Sequence, residues 1–517
     1  SGVRIDGSVL GRGSDLRQGV RCEEGVVLGD ECFVGAYAEI RAGVKVYPFK
    51  TVEAGAIVNS SIVWESRGAR SLFGRDGVQG LANVDISPEL AVRLSMAWAS
   101  TFEKGATVTT SRDTSRAARV LKRAIMVGCN AAGVNVDDLE AATVPVTRFQ
   151  ITSSSSMAGI TVRLVPDDPQ SVVLRFFDKY GIDVDEGTQR KIERLYHRED
   201  FRRVLAREIG DIGFPPRSLE YYTAALINSV DLTAARSTDL KLVLDYSFGT
   251  TSFVMPNLLA KLEAEVLVVN PYANTASVLT FDRQASAARV SDLVRASGAH
   301  LGAVLDPGGE FVTIVDDLGH ALTHDEALLA LLTLVTEAQP GARVALPVAA
   351  SGAAEEICRK AGAEIVWTKL SASHLMEVAN SEQVALAASQ SGGFIFPHFL
   401  PAFDGAATLV NLIALLTTAG RTLSDLVAEL PAVHIAHQSV HTPWDQKGMV
   451  MRTLVERSQG RELVLVDGVK VIEEDGWALV LPDPEEPVTH VWAEAPSDAH
   501  AEARVQEYAV RLEQLLR

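Results

Sequence analysis

Apolar positions recur every six residues through the start of the chain. Leu10, Leu16, Cys22, Leu28, Val34, Ile40, Val46, Val52 and Val58 form one rail, which Trp64 closes. A second rail runs in phase through Val20, Val26, Cys32, Ala38, Val44, Ala56 and Ile62, broken at Lys50. A short fixed period marks a solenoid, and a six-residue period marks a parallel β-helix in which each hexad supplies a short strand and a turn. Gly11, Gly29 and Gly35 directly follow rail positions, where tight bends are expected. By itself such a period specifies a structural coil and no chemistry. Ser1-Gly2-Val3 enters the repeat with no capping segment, although solenoid ends normally need a cap. The expectation is therefore a fragment of a longer natural chain, with a cleavage scar at Ser1 as one origin. Uncapped strand edges and apolar rails also predict a homo-oligomer through the first coils.

After Trp64 the six-residue period stops and helices alternate with strands. Pro88–Trp98 reads as a helix opened by Ser87, then Ala106–Thr110 as a strand, Asp113–Ala132 as a helix and Val134–Leu139 as a strand. Strands are predicted at 241–246, 265–269 and 301–305 with helices at 252–262 and 288–298. Further strands are predicted at 343–347 and 364–367, with helices at 325–337 and 353–361. This is repeated βαβ grammar. The tail differs: a helix over 448–457, strands over 462–466, 469–473, 477–481 and 488–493, and a closing helix over 501–516. The fold class is α/β. Three α/β/α domains and a C-terminal α+β domain follow a short left-handed parallel β-helix, with limits at 1–66, 70–212, 213–318, 319–430 and 431–517.

Composition narrows the function classes. A chain of 517 residues exceeds one core. A net charge of -18 argues against nucleic acid or an anionic membrane surface as a general partner. No apolar run reaches the length of a spanning helix. Cys22, Cys32, Cys129 and Cys358 lack metal-ligand or disulfide spacing, so free thiols in a reducing cytoplasm are expected.

Five segments, in order, resemble the α-D-phosphohexomutases. Phe73-Gly-Arg-Asp-Gly-Val-Gln-Gly80 is similar to that family's F-G-T-D-G-x-R-G opening, and Ser111-Arg-Asp-Thr-Ser115 to its G-R-D-T-R/S turn. Val304-Leu-Asp-Pro-Gly-Gly-Glu310 stands at the metal loop, Ser391-Gly-Gly393 at the sugar loop, and Leu481-Pro-Asp-Pro-Glu-Glu-Pro487 at the phosphate loop. A hexapeptide solenoid followed by such a region is similar to fused mannose-1-phosphate guanylyltransferase/phosphomannomutase proteins. That resemblance implies a missing N-terminal nucleotidyltransferase domain and a sugar phosphate or sugar nucleotide as ligand.

The chemistry of that family needs a phosphorylated serine, a Mg²⁺ site, sugar-binding carboxylates and a phosphate cradle. The nucleophile position falls on Val165, which carries no phosphoryl group, so no catalytic residue is assigned. Ser153–Ser156, ten residues earlier, reads as a solvated turn and a poor substitute. The metal loop retains Asp306 but has Gly308, Glu310 and Phe311 at its other positions, which leaves Asp306 and Glu310 as the weak metal candidates. No cofactor is assigned; Mg²⁺ enters only if an active mutase survives. The sugar loop offers Ser389, Gln390 and Ser391 in place of an acidic pair, and an amide can both donate and accept. The phosphate loop carries Asp483, Glu485 and Glu486, which repel a phosphate, and His490 replaces an arginine. Arg112 and Arg116 are cleft candidates whose plainer reading is a solvated turn. His434, His437 and His441 have the spacing of one helical face, but the alternation of 433–440 is that of a strand. The leading expectation is a degenerate phosphohexomutase region that regulates or assembles a nucleotidyltransferase. The alternatives are an active mutase with a shifted nucleophile and a pure oligomerisation scaffold.

Overall fold

The computed structural model describes residues 2–48, 50–59, 61–62, 67–68, 72–273, 280–458 and 460–516. Trp64, Ser71 and the domain limits at 66 and 70 lie outside them. The chain forms two compact units, one of Ser1–Ser87 with His434–Arg517 and one of Pro88–Val433.

In the first unit the hexads form two-residue strands in three parallel ladders. Val9 pairs with Val27 and Val27 with Lys45, so partners lie three hexads apart. This arrangement is compatible with a β-helix. Rail residues from Val20 to Ile62 pack into one apolar core, whereas Leu10 is 40% exposed. The bends are not at Gly11, Gly29 and Gly35. Left-handed backbone recurs instead at Gly7, Gly13, Gly19, Gly25, Glu31, Tyr37, Gly43 and Gly55, again every six residues. Gly11, Gly29 and Gly35 serve the stacking: a Cβ on Gly29 would stand 2.4 Å from the Pro48 nitrogen of the next coil. The tail of this unit is a five-stranded antiparallel sheet in the order 435–441, 488–494, 476–482, 469–473, 462–464. Helices Lys447–Arg457 and Asp498–Leu515 accompany it, and Val450, Leu454, Val505 and Tyr508 join its core.

The second unit repeats one motif three times. Strands Asn135–Ala141, Thr107–Arg112 and Gly159–Val165 run parallel, and Asp168–Phe177 returns antiparallel. Glu265–Val269, Lys241–Asp245 and Leu301–Leu305 do the same, with Val312–Val315 antiparallel. So do Glu364–Thr368, Arg343–Pro347 and Leu386–Ala388, with Phe394–Ile395 antiparallel. Helix starts follow their caps. The helix expected from Asp113 begins at Arg116, because the Ser115 hydroxyl accepts from the Ala118 amide at 3.1 Å. The one expected from Ala288 begins at Arg283, after the Asp282 cap. The one expected over 252–262 starts as a 3₁₀ turn at Thr250–Phe253 and becomes α-helical at Met255–Leu262, with Pro256 in its first turn.

Candidate functional site

Each repeat places one loop at the same topological position, where its last parallel strand turns back into the antiparallel strand. These loops are Pro166–Asp167, Asp306–Phe311 and Ser389–Gly393, the segments that the family resemblance sets at the nucleophile, metal and sugar loops. The structure brings them together. An Arg163 amino group donates to the Pro307 carbonyl at 3.2 Å, joining the strand that leads into the first loop to the second loop. Phe311 forms a β-bridge with Gly393, joining the second to the third.

The first loop is a tight turn. Val165 pairs directly with Asp168, so only Pro166 and Asp167 lie between the strands. Asp113 closes it from behind, accepting the Leu164 amide at 2.6 Å and the Ser115 amide at 2.8 Å. No serine stands at the tip. Ser153–Ser156 is not simply a solvated turn: Ser153 ends the helix Val144–Ser153, and Ser156 is buried with its hydroxyl 2.8 Å from that of Thr109.

The second loop is closed by its own amides and by arginines. The Asp306 carboxylate accepts from the Gly308 amide at 2.8 Å and the Phe311 amide at 2.7 Å. Burial, aided by Glu310, raises its pKa. Glu310 is 3% exposed and accepts from Arg148 at 2.9 Å with one oxygen and from Arg175 with the other. Both guanidinium groups also bind Asp183, at 2.9 and 3.1 Å. Burial alone would raise Asp183, but Arg148 and Arg175 hold it below the ordinary carboxylate value. Arg163 completes the group, donating to the Ala142 carbonyl and the Thr250 hydroxyl at 2.8 Å. Arg148 lies 4.2 Å above the Phe177 ring.

A divalent cation does not fit this donor set. Mg²⁺ demands near-octahedral oxygen ligands with unspent lone pairs. Here one carboxylate is turned onto backbone amides, and the other is saturated by two guanidinium groups whose charge opposes a metal. Among the described residues no cluster of three or more His, Cys, Asp or Glu has metal-binding geometry.

The third loop is polar and partly exposed. The Ser389 hydroxyl accepts from the Gly393 amide at 3.1 Å and lies 3.0 Å from the Ser391 hydroxyl. Gln390 donates its side-chain amide to the Ala349 carbonyl. Arg283 reaches the Ser391 carbonyl at 3.2 Å and lies 3.0 Å from His324. Burial and Arg283 together lower the His324 pKa. Arg112 is not in a solvated turn: it is 8% exposed and pairs with Glu140 at 2.9 Å, beside the buried Lys122–Asp138 pair. Arg116, at the helix start, is exposed. Arg148, Arg163, Arg175, Arg283 and His324 are the charged and polar residues that sequence reading missed. A signal existed for two of them, since Arg163 and Arg175 interrupt apolar strands.

In the other unit the loop 481–487 is rebuilt as well. Asp483 does not project outward. It is 4% exposed, accepts the Glu485 amide at 2.7 Å and the Glu486 amide at 2.8 Å, and pairs with Arg75 at 2.8 Å. Lys447 donates to the carbonyls of Asp483 and Glu486. Glu485 and Glu486 remain exposed, so the loop still presents negative charge. Of the three tail histidines, His434 pairs with Asp498 at 2.7 Å and His441 stacks on Tyr37 at 4.9 Å, so they share no site.

Residues 70–203, 220–319 and 324–434 match, in turn, the α/β/α domains I, II and III of phosphoglucomutase/phosphomannomutase. The chain belongs to the phosphoglucomutase/phosphomannomutase family. It is 26% identical over 83% of its length to the phosphoglucomutase/phosphomannomutase of Thermococcus kodakarensis, covering 96% of that protein. It is 28% identical to a probable phosphoglucosamine mutase of Methanopyrus kandleri, over 83% of this chain and 95% of that one. Among solved structures, a phosphoglucomutase/phosphomannomutase family protein of Burkholderia thailandensis superposes with a TM-score of 0.74 at 21% identity. That match covers 85% of this chain and 96% of that one, and it shows the shared fold. Among the described residues no helix is long and apolar enough to cross a membrane.

Proposed function

We propose that this phosphohexomutase-family chain has kept the sugar-phosphate scaffold and lost phosphoryl transfer. The observation that carries the reading is the pairing of Val165 with Asp168, which shortens the nucleophile loop to two residues. The saturation of Glu310 by Arg148 and Arg175 supports it from the metal side. On this reading Ser389, Gln390 and Ser391, with Arg283 beside them, hold a sugar-phosphate or sugar-nucleotide ligand, and Arg112 serves its ion pair with the exposed Glu140. The N-terminal ladders form a left-handed β-helix that assembles the chain, and the α/β region regulates a guanylyltransferase-like nucleotidyltransferase.

The second reading is an active phosphohexomutase. The comparisons taken alone favour it, because the relatives are named phosphoglucomutase/phosphomannomutase or phosphoglucosamine mutase. It requires a phosphoryl acceptor other than Val165 and a cation held without Glu310.

Ligand-dependent thermal stabilisation tests the first reading, since a ligand that binds only the folded state raises Tm. Hexose phosphates and nucleotide sugars should raise Tm equally with and without Mg²⁺, and the shift should fall in Ser389→Ala/Ser391→Ala. A shift that requires Mg²⁺, accompanied by a phosphate adduct in the intact mass, would establish the second reading instead. No shift with any of these ligands would remove the binding claim.

A further inference from the structure

The sheet of the tail carries a group for which the phosphohexomutase fold supplies no role. Strand 488–494 pairs antiparallel with 435–441, with His437 opposite Trp492 and Ser439 opposite His490. His437 and His490 are therefore diagonal neighbours on one sheet face. Nε2 of His437 and Nδ1 of His490 face each other at 3.1 Å.

Both rings are held. The far nitrogen of His490, Nε2, lies 3.0 Å from the Asp483 carboxylate. That carboxylate is fixed by two backbone amides and by Arg75. A buried carboxylate at Nε2 keeps the ring proton there, which turns the Nδ1 lone pair toward His437. The His437 ring stacks on Trp492 with centroids 4.8 Å apart. Metal-bound imidazoles characteristically give their other N–H to a carboxylate in this way. With metal–nitrogen bonds of about 2.0–2.1 Å, two adjacent ligands stand roughly 3 Å apart. The observed separation meets that requirement with little ring movement.

We propose that His437 and His490 form a surface site for a divalent transition ion of the zinc, nickel or copper class, with water in the remaining positions. Imidazole suits these ions, whereas Mg²⁺ and Ca²⁺ prefer oxygen. In the metal-free protein, His437 donates its Nε2 proton to His490 Nδ1. On binding, that proton moves through solvent to Nδ1 of His437, so both ligand nitrogens present lone pairs, no electron is transferred and no proton is lost overall. Asp483 is a positioning residue here. The acidic neighbours Glu485 and Glu486, within a chain of net charge -18, favour a cation. The site is independent of the reading of the α/β region.

The experiment uses the full chain after chelator treatment. Zn²⁺ or Ni²⁺ is titrated calorimetrically, and Cu²⁺ is followed by quenching of tryptophan emission, since Trp492 touches a ligand ring. One equivalent should bind. Asp483→Asn should weaken it by about 10–100-fold, and His437→Ala and His490→Ala should each weaken it more. His434→Ala, on the same tail but outside the pair, should leave it unchanged. His437 is exposed, so its variant keeps the fold. Binding of equal affinity in His437→Ala/His490→Ala, or no binding by the unaltered chain, would overturn the proposal.

Discussion

The loops Asp306–Phe311 and Leu481–Pro487 both stand where the family resemblance puts a charge-handling device, and they have been rebuilt differently. In the first, the charge is internal: Glu310, Asp183 and two arginines, Arg148 and Arg175, close on one another, and Arg148 is fully buried. In the second, Asp483 is spent on its own loop, but its outer oxygen meets His490, and beyond it a pair of imidazoles faces solvent. A saturated buried network resists a new ligand, because any entrant must first strip paired charges at several kcal/mol each. A half-exposed relay, whose shared proton can move through solvent, can free two lone pairs and take a new ligand. The difference explains why a cation is expected at the second loop and not at the first.

The comparison breaks most visibly at Glu310. Glu310→Ala removes one of the two carboxylates that Arg148 and Arg175 share and leaves Asp183 alone against both guanidinium groups. The expected loss is about 3–5 kcal/mol of stability, read by denaturant unfolding. A loss near zero would mean that the network is not the lock described.

Asp404 sharpens the same side. It caps the helix Gly405–Ala419, accepts the Tyr222 hydroxyl at 2.7 Å, and burial pushes its pKa from 3.8 up to about 6. A carboxyl protonated more readily when folded costs stability above its folded pKa, and that cost is relieved as pH falls through about 6 towards 4. Relative to Asp404→Asn, the unaltered chain should gain up to about 3 kcal/mol over that window. The opposite slope would refute the assignment. Asp183, held low by its arginines, acts in the reverse sense: its contribution is present above the ordinary aspartate range and is lost as pH falls through its folded pKa.

Asp483→Asn probes the other loop. Its side-chain oxygen can still accept an amide, but the charge facing Arg75 and His490 is gone, so about 1–2 kcal/mol should be lost. The exposed pair Arg190–Glu186 sets the floor, and Arg190→Ala should change stability by less than about 0.5 kcal/mol.

Much of this was legible in the sequence. The rails named the coil core from Val20 onward, because a fixed period records which side chains face inward. The left-handed positions shared the period, but Glu31 and Tyr37 occupy two of them and hid the glycine signal. The departures at Val165, Gly308 and Phe311 from the residues that the family resemblance expects could be read directly, since each lacks an atom that the family's chemistry uses. What replaced them could not. Glu310 finds Arg148 across 162 residues and Arg175 across 135, and such pairings depend on how the repeats pack. His490 was visible as a departure from arginine. Its partner His437 was not, because strand register decides which histidine lies beside it.

The central claim, that the scaffold no longer transfers phosphoryl groups, is tested most directly by turnover. The full chain is assayed for interconversion of mannose and glucose 6-phosphates with their 1-phosphates, with Mg²⁺ and a hexose bisphosphate activator. The account predicts no conversion above the enzyme-free rate, and none in Val165→Ser, whose metal loop is still closed. Conversion by the unaltered chain at about 1 per second or faster, ordinary for an enzyme, would contradict it.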